Sequence, residues 1–296
     1  MSETIRASAA VLAAGALLTA PAAGQAGEPA AHPQFSPDGA RLAWFSFDVE
    51  AGEAAIRIRD MESGETRTLE TGLAWSVNPV WDADGESLAF TGADGMGGVW
   101  DIYSIALDGG APTKLTETPE REFHPHLSPD GSRLVFIRMD GGSEVWMLDL
   151  ESGEETPLTD TEEREFHPKW SANGRAVLFD RGVANGGSQI IELDVETGEE
   201  TLRAGVSSDI RRVGLPSSFG EGGWMYASNF ASRGGWNAYA GGVSRAYAPE
   251  DGSRVGGSSL RPGTTEVAIA LDDGSGSRLV IYDYVAETVE ALEGSD

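Results

Sequence analysis

Two sets of residues in this chain have the types and spacing to do chemistry. The first is its histidines: His32, His124, His126 and His167, three of which precede proline (Pro33, Pro125 and Pro168). Imidazoles gathered at one place can ligate a divalent metal. His124-x-His126 also has the alternate spacing that points two side chains the same way on a strand. The second set is Arg121, Arg164, Arg211 and Arg254. A guanidinium grips a carboxylate or phosphate through two parallel hydrogen bonds, so arginines held in register would form an anion site. Other chemistry finds no footing. The chain has no cysteine, which excludes disulfides, thiol nucleophiles and thiolate metal sites. It contains no G-x-S-x-G nucleophile elbow, and no carboxylate pair can be placed for acid–base work. The balance favours binding over catalysis, with no catalytic residue, metal or cofactor assigned.

The elements that position these residues are repeats. His32-Pro33-Gln34-Phe35-Ser36-Pro37-Asp38-Gly39, followed by Leu42-Ala43-Trp44-Phe45, returns from Asn78-Pro79, from His124-Pro125 and from His167-Pro168. Two degenerate copies are anchored near Gly214, ahead of Trp224-Met225-Tyr226, and near Gly257, ahead of Val267-Ala268-Ile269. Anchors at 32, 78, 124, 167, 214 and 257 lie 43 to 47 residues apart. That period, with four short strands per repeat, predicts an all-β, six-bladed β-propeller of four-stranded antiparallel blades. In each blade Pro-Asp-Gly makes a tight turn, and the Leu-Ala-Phe strand is apolar on both faces because it lies between neighbours. The histidines then gather at one mouth of the central channel. Each arginine stands three residues ahead of its anchor in blades three to six, where blades one and two have Pro29 and Trp75. Plainer roles compete with these. The histidines can serve the repeat by bonding the blade backbone, and the arginines can pair with Glu120, Glu122, Glu163 or Glu165.

The His/Asn-Pro-x-aromatic-Ser-Pro-Asp-Gly motif with its Leu-Ala-Phe strand resembles the TolB-like (PD40) propeller repeat, and the resemblance covers essentially the whole mature chain. It implies the fold strongly and the function weakly, since this propeller hosts many activities. The family's namesake carries an additional α/β domain ahead of its propeller; here the first blade is expected directly after a leader. An alternative function follows from oligogalacturonate lyase, a TolB-like propeller with a histidine-based metal site. In that reading His124, His126 and His167 hold the metal while the arginines grip an anionic sugar. Two weaker patterns are Asp82-Ala83-Asp84-Gly85, which faintly resembles a calcium loop, and the glycine- and aromatic-rich fifth blade with Trp224, Tyr226, Trp236 and Tyr239.

Composition sets the partner class. A net charge of −27 argues against nucleic acid and anionic membranes, which need clustered Lys and Arg. The expected partner is a protein or a small anionic ligand at the channel mouth, bound by Arg121, Arg164, Arg211, Arg254, His32, His124 and His167. At the N-terminus, Arg6, the apolar stretch Ala9 to Leu18 and the small residues after it read as a signal peptide over 1–26. Residues 27–296 then form a propeller in the periplasm or outside the cell, with no membrane insertion after cleavage. The oligomeric state is not legible.

Overall fold

The first, third and fourth repeats turn through the same hydrogen bonds. The Ser36 hydroxyl donates to Asp38 Oδ1 (2.5 Å) and accepts from the Arg41 amide (2.9 Å), while Gly39, at φ +70°, closes the turn onto the Ser36 carbonyl. Ser128 and Asp130 repeat the arrangement, and hydrogen bonds from Ser128 and Ser132 hold the Asp130 carboxyl down at about 2. Asp82 and Asp84 are spent in the same way, accepting from the Ala83 and Glu86 amides (2.5 and 2.8 Å). The faint calcium loop is therefore a turn.

The computed structural model describes residues 30–292 except 49–50, 96, 184–187, 206–209, 214–216, 220–222, 231–232, 241–242 and 274–276. It leaves aside the side chains of 30–31, 204–205, 210–213, 217–219, 223–230, 233–240, 243–246, 254 and 256. The expected leader, the Gly214 anchor and the side chains of Trp224, Tyr226, Trp236 and Tyr239 lie outside that description. Among the described residues every regular element is a strand, and no helix is long and apolar enough to cross a membrane.

The strands form antiparallel meanders. β1 (Ala30–Phe35), β2 (Arg41–Asp48), β3 (Glu53–Asp60) and β4 (Thr66–Leu69) make the first, and β5 (Trp75–Trp81), β6 (Ser87–Ala93), β7 (Asp101–Ala106) and β8 (Thr113–Lys114) the second. One parallel pairing, Ala54 with Trp75, joins them into an eight-stranded sheet. Separate four-stranded sheets follow: β9 (Arg121–Leu127), β10 (Arg133–Met139), β11 (Glu144–Asp149) and β12 (Glu155–Pro157), then β13 (Glu165–Trp170), β14 (Ala176–Gly182), β15 (Ser188–Asp194) and β16 (Glu200–Gly205). In the next sheet β17 (Ile210–Val213) and β18 (Ser217–Phe219) share one side of β19 (Gly223–Phe230), which leads to β20 (Arg233–Ala240) and β21 (Val243–Tyr247). β22 (Arg254–Leu260), β23 (Glu266–Asp272), β24 (Ser277–Asp283) and β25 (Thr288–Ala291) form the last. The first strands contact one another in sequence, β1 to β5, β9, β13, β18, β22 and back to β1, closing a ring around a channel.

Second strands carry the core because both of their faces are covered. Ala43 packs with Ile56 and Ile58 against Trp81, Leu88 and Phe90, whereas Leu42 and Trp44 face Ala268, Ala270 and Leu279 on the other side. The alternation of a strand thus feeds two interfaces from one apolar run. Cations seal the seams: Arg41 stacks over Trp81 (5.2 Å) and Arg133 over Trp170 (4.6 Å). Among the described residues β1 pairs only with β2 and β25 only with β24, so no shared ladder latches the ring. Closure rests on the Trp44 cluster, on Ser259 Oγ accepting from the Phe35 amide (3.0 Å), and on Arg261 donating to the Gly39 carbonyl (2.8 Å).

Candidate functional site

The repeated His/Asn-Pro position has a backbone reason. His32, Asn78, His124 and His167 all have left-handed φ, +53° to +56°. In each case the inner strand slips register against its neighbour at that residue and the following proline. Asn and His tolerate this region better than most residues, and a β-branched side chain is a genuine outlier there. Asn78→Val is therefore expected to cost about 1–2 kcal/mol, read as a lower urea midpoint, with Asn78→Gly close to the parent protein.

The bulge turns the side chains into the channel. The ring centroids of His124 and His167 are 4.3 Å apart, and His32 lies 5.9 and 6.1 Å from them. All three are buried. Burial first, and then the proximity of His167 and Lys169, holds the His32 imidazole well below its ordinary range. Burial, followed by His167, His32 and Lys169, does the same to His124. The two rings are neutral at neutral pH. His167 is anchored by its Nδ1 to Asp180 (2.8 Å). His126 goes elsewhere: its Nδ1 accepts from the Trp170 amide (3.2 Å), tying β9 to β13. The bulge at His124-Pro125 breaks the alternation that would have aligned the two side chains. Among the described residues no three His, Asp or Glu side chains converge as a metal site, the trio His124, His126 and His167 included.

Arg121 opens β9 and Arg164 immediately precedes β13; both side chains are exposed at the entry end of their inner strands. Arg211 lies in β17 and Arg254 opens β22, but their side chains are outside the described residues. The acids next to Arg121 and Arg164 do not neutralise them. Glu122, fully buried, accepts from Arg138 Nε and Nη2 (2.8 and 2.5 Å), and Arg138 also reaches Glu155 (2.6 Å). Glu165 is buried against Arg181 Nε (2.8 Å), Thr159 and Thr161, while Arg181 is also held by two 2.7 Å bonds to Glu200. Hydrogen bonds donated by Arg181, first to Glu200, push its pKa up, and burial pushes that of Glu122 up. Among the described residues Arg121 and Arg164 have no ionic partner.

A further wall of this mouth escaped the sequence reading. Phe45, Phe47, Trp75, Trp100 and Phe123 form a chain of ring contacts at 5.3 to 5.6 Å, which meets His32 at 5.4 Å and His124 at 6.3 Å. Phe47 and Trp100 are partly exposed, and the Trp100 carbonyl accepts from the Glu122 amide (2.7 Å), beside Arg121. The available signal was Trp75, which occupies in the second repeat the register of Arg121 and Arg164.

Comparison with known proteins agrees with this architecture. Over 126 residues the chain is 34% identical to the Agrobacterium fabrum protein Atu1656, a match covering 38% of this chain and 42% of that one. A match to a TolB homologue of Chlorobium luteolum is 31% identical over 109 residues, covering 36% and 23%. The chain thus spans less than half the length of these relatives. Among solved structures, TolB from Acinetobacter baumannii is similar with a TM-score of 0.64 and 22% identity, over 77% of this chain and 56% of that one. The β-propeller domain of the trilobed protease of Pyrococcus furiosus, described as having an open velcro topology, has a TM-score of 0.61 and 12% identity, over 91% and 97%. Likeness at these identities shows the fold alone. The TolB beta propeller domain family matches residues 21–210, more than half of the sequence, and the chain belongs to that family.

Proposed function

We propose that the chain is an exported, non-enzymatic, six-bladed propeller that binds an acidic segment of a protein partner at the entry mouth of its channel. In this reading residues 1–26 are a cleaved signal peptide and residues 27–296 the propeller, working in the periplasm or outside the cell. Arg121 and Arg164, continued by Arg211 and Arg254, meet carboxylates, while Phe47 and Trp100 offer apolar surface beside them. His32, His124 and His167 form the floor. One observation carries the proposal. On a chain of net charge −27, two arginines in the same repeat register stand exposed and, among the described residues, without ionic partners: Glu122 and Glu165 are buried on Arg138 and Arg181, and Glu120 and Glu163 form no ion pair with them. A positive patch on a negative body selects and steers an anionic partner.

The test uses a fluorescein-labelled hexaglutamate peptide, titrated by anisotropy at about 50 mM salt, where screening is weak. Arg121→Ala with Arg164→Ala is expected to weaken binding about tenfold or more, from the loss of two charge-assisted contacts, with an unchanged melting temperature. Equal affinity for the parent and double-variant proteins would remove the mouth from the account.

A further inference from the structure

Below the mouth the channel narrows between His32, Gln34, Asn78, His124, His167 and Lys169, with Pro79, Pro125 and Pro168 between them. Lys169 has no counterpart in the described first strands. The residues paired at the same register are Gln34 with Ala43, Val80 with Ala89, His126 with Val135 and Lys169 with Leu178. Only the last places a lysine against the channel. It is 9% exposed, and among the described residues no carboxylate pairs with it. Among the described residues none of the others lining the constriction is acidic. The acid attached to this cluster, Asp180, is engaged by His167 Nδ1. A second polar atom is also unused: His124 is 7% exposed and its Nδ1 has no hydrogen-bond partner.

A buried ammonium without a counter-charge is costly, and proteins compensate such a charge or shed it. Burial lowers the Lys169 pKa to about 8, which still leaves most of the population charged at neutral pH. The enclosed part of the constriction has room for about one water-sized particle, so an ion would sit there without its hydration shell, in direct contact with the lining.

We infer that the channel constriction binds one small monovalent anion, halide-sized or a carboxylate head, between Lys169 Nζ and the unpartnered Nδ1 of His124. Asn78 and Gln34 supply further amide donors on the lining. The site lies inside the channel and does not depend on an acidic segment binding at the mouth.

Crystals soaked in sodium bromide test this through the anomalous scattering of bromine. The expected result is a peak in contact with Lys169 Nζ in the parent protein and none in Lys169→Met, whose side chain keeps the bulk without the charge. In solution, added bromide should raise the melting temperature of the parent protein and leave that of Lys169→Met unchanged. Loss of the peak on adding acetate assigns the site to carboxylates, and retention assigns it to halides; both outcomes keep it. No channel peak in the parent protein, a peak that persists in Lys169→Met, or a peak without a bromide-dependent melting shift (an adventitious ion only) overturns the inference. The parent crystal decides even if the variant does not fold. The Arg121 and Arg164 substitutions should leave the bromide peak in place, so this site and the mouth fail independently.

Discussion

Arg138→Ala is expected to lower the unfolding free energy by about 3–5 kcal/mol, the cost of stranding one partner of a buried ion pair. Arg138 is 7% exposed, bonded to the fully buried Glu122 and to Glu155, and stacked 4.3 Å over Trp146. Alanine removes the stacking and leaves Glu122 with hydroxyl donors but no cation. The size of the deficit should depend on pH. Burial already raises the Glu122 pKa, and removing Arg138 raises it further, so the folded state binds the proton more tightly than the unfolded chain. A raised carboxyl pKa favours folding below the unfolded value and loses that contribution as pH rises through the folded value. The deficit of Arg138→Ala should therefore be smaller near pH 5 than near pH 7, compared by urea unfolding with the parent protein at each pH. Glu122→Gln with Arg138→Met removes both charges and should recover much of the loss, because nothing charged is left buried. A pH-independent deficit would mean that packing over Trp146 dominates the effect.

Trp44→Ala should cost a similar ~3–5 kcal/mol, as large-to-small changes of buried aromatics do, but its effect should be local to one seam. Trp44 is 2% exposed and sits with Phe35 and Leu42 against Ala268, Ala270, Leu279 and Leu292. That cluster joins the first sheet to the last, where no strand ladder crosses among the described residues. Elsewhere the chain itself bridges neighbouring sheets; at this seam the described contacts are made through side chains. Hydrogen exchange should show amides of β1, β2, β22 and β23 opening at lower free energy in the variant, with β10 and β14 little changed. Uniform acceleration across all sheets would show that the ring opens as a single unit and that this seam is not its weak point.

Much of the fold was legible because the repeat writes its turn chemistry in local sequence. Ser36, Asp38 and Gly39 lie within four residues and bond one another, so the turn can be read without knowing what packs on it. The doubly covered second strands were legible for a similar reason, since Leu42 to Phe45 and Leu134 to Ile137 are unbroken apolar runs. The site was less so. The His/Asn-Pro position records a left-handed bulge, and type and spacing could not separate that role from metal binding, since both place imidazoles in the channel. The arginines' surroundings depended on strand pairing. Glu122 is adjacent to Arg121 in sequence but bonds Arg138, which its strand alternation presents across β10. The aromatic wall was missed because its members come from β2, β5, β9 and the residue before β7. Lys169 drew no notice because its surroundings are formed by residues of four separate inner strands.

A crystal structure of the protein with the hexaglutamate peptide decides whether an acidic segment binds at the entry mouth. Ordered peptide is expected across the entry ends of β9 and β13, with carboxylates on Arg121 and Arg164 and the peptide lying against Trp100. Peptide ordered only at the outer strands, or a mouth left free of peptide at concentrations that saturate binding in solution, would contradict it.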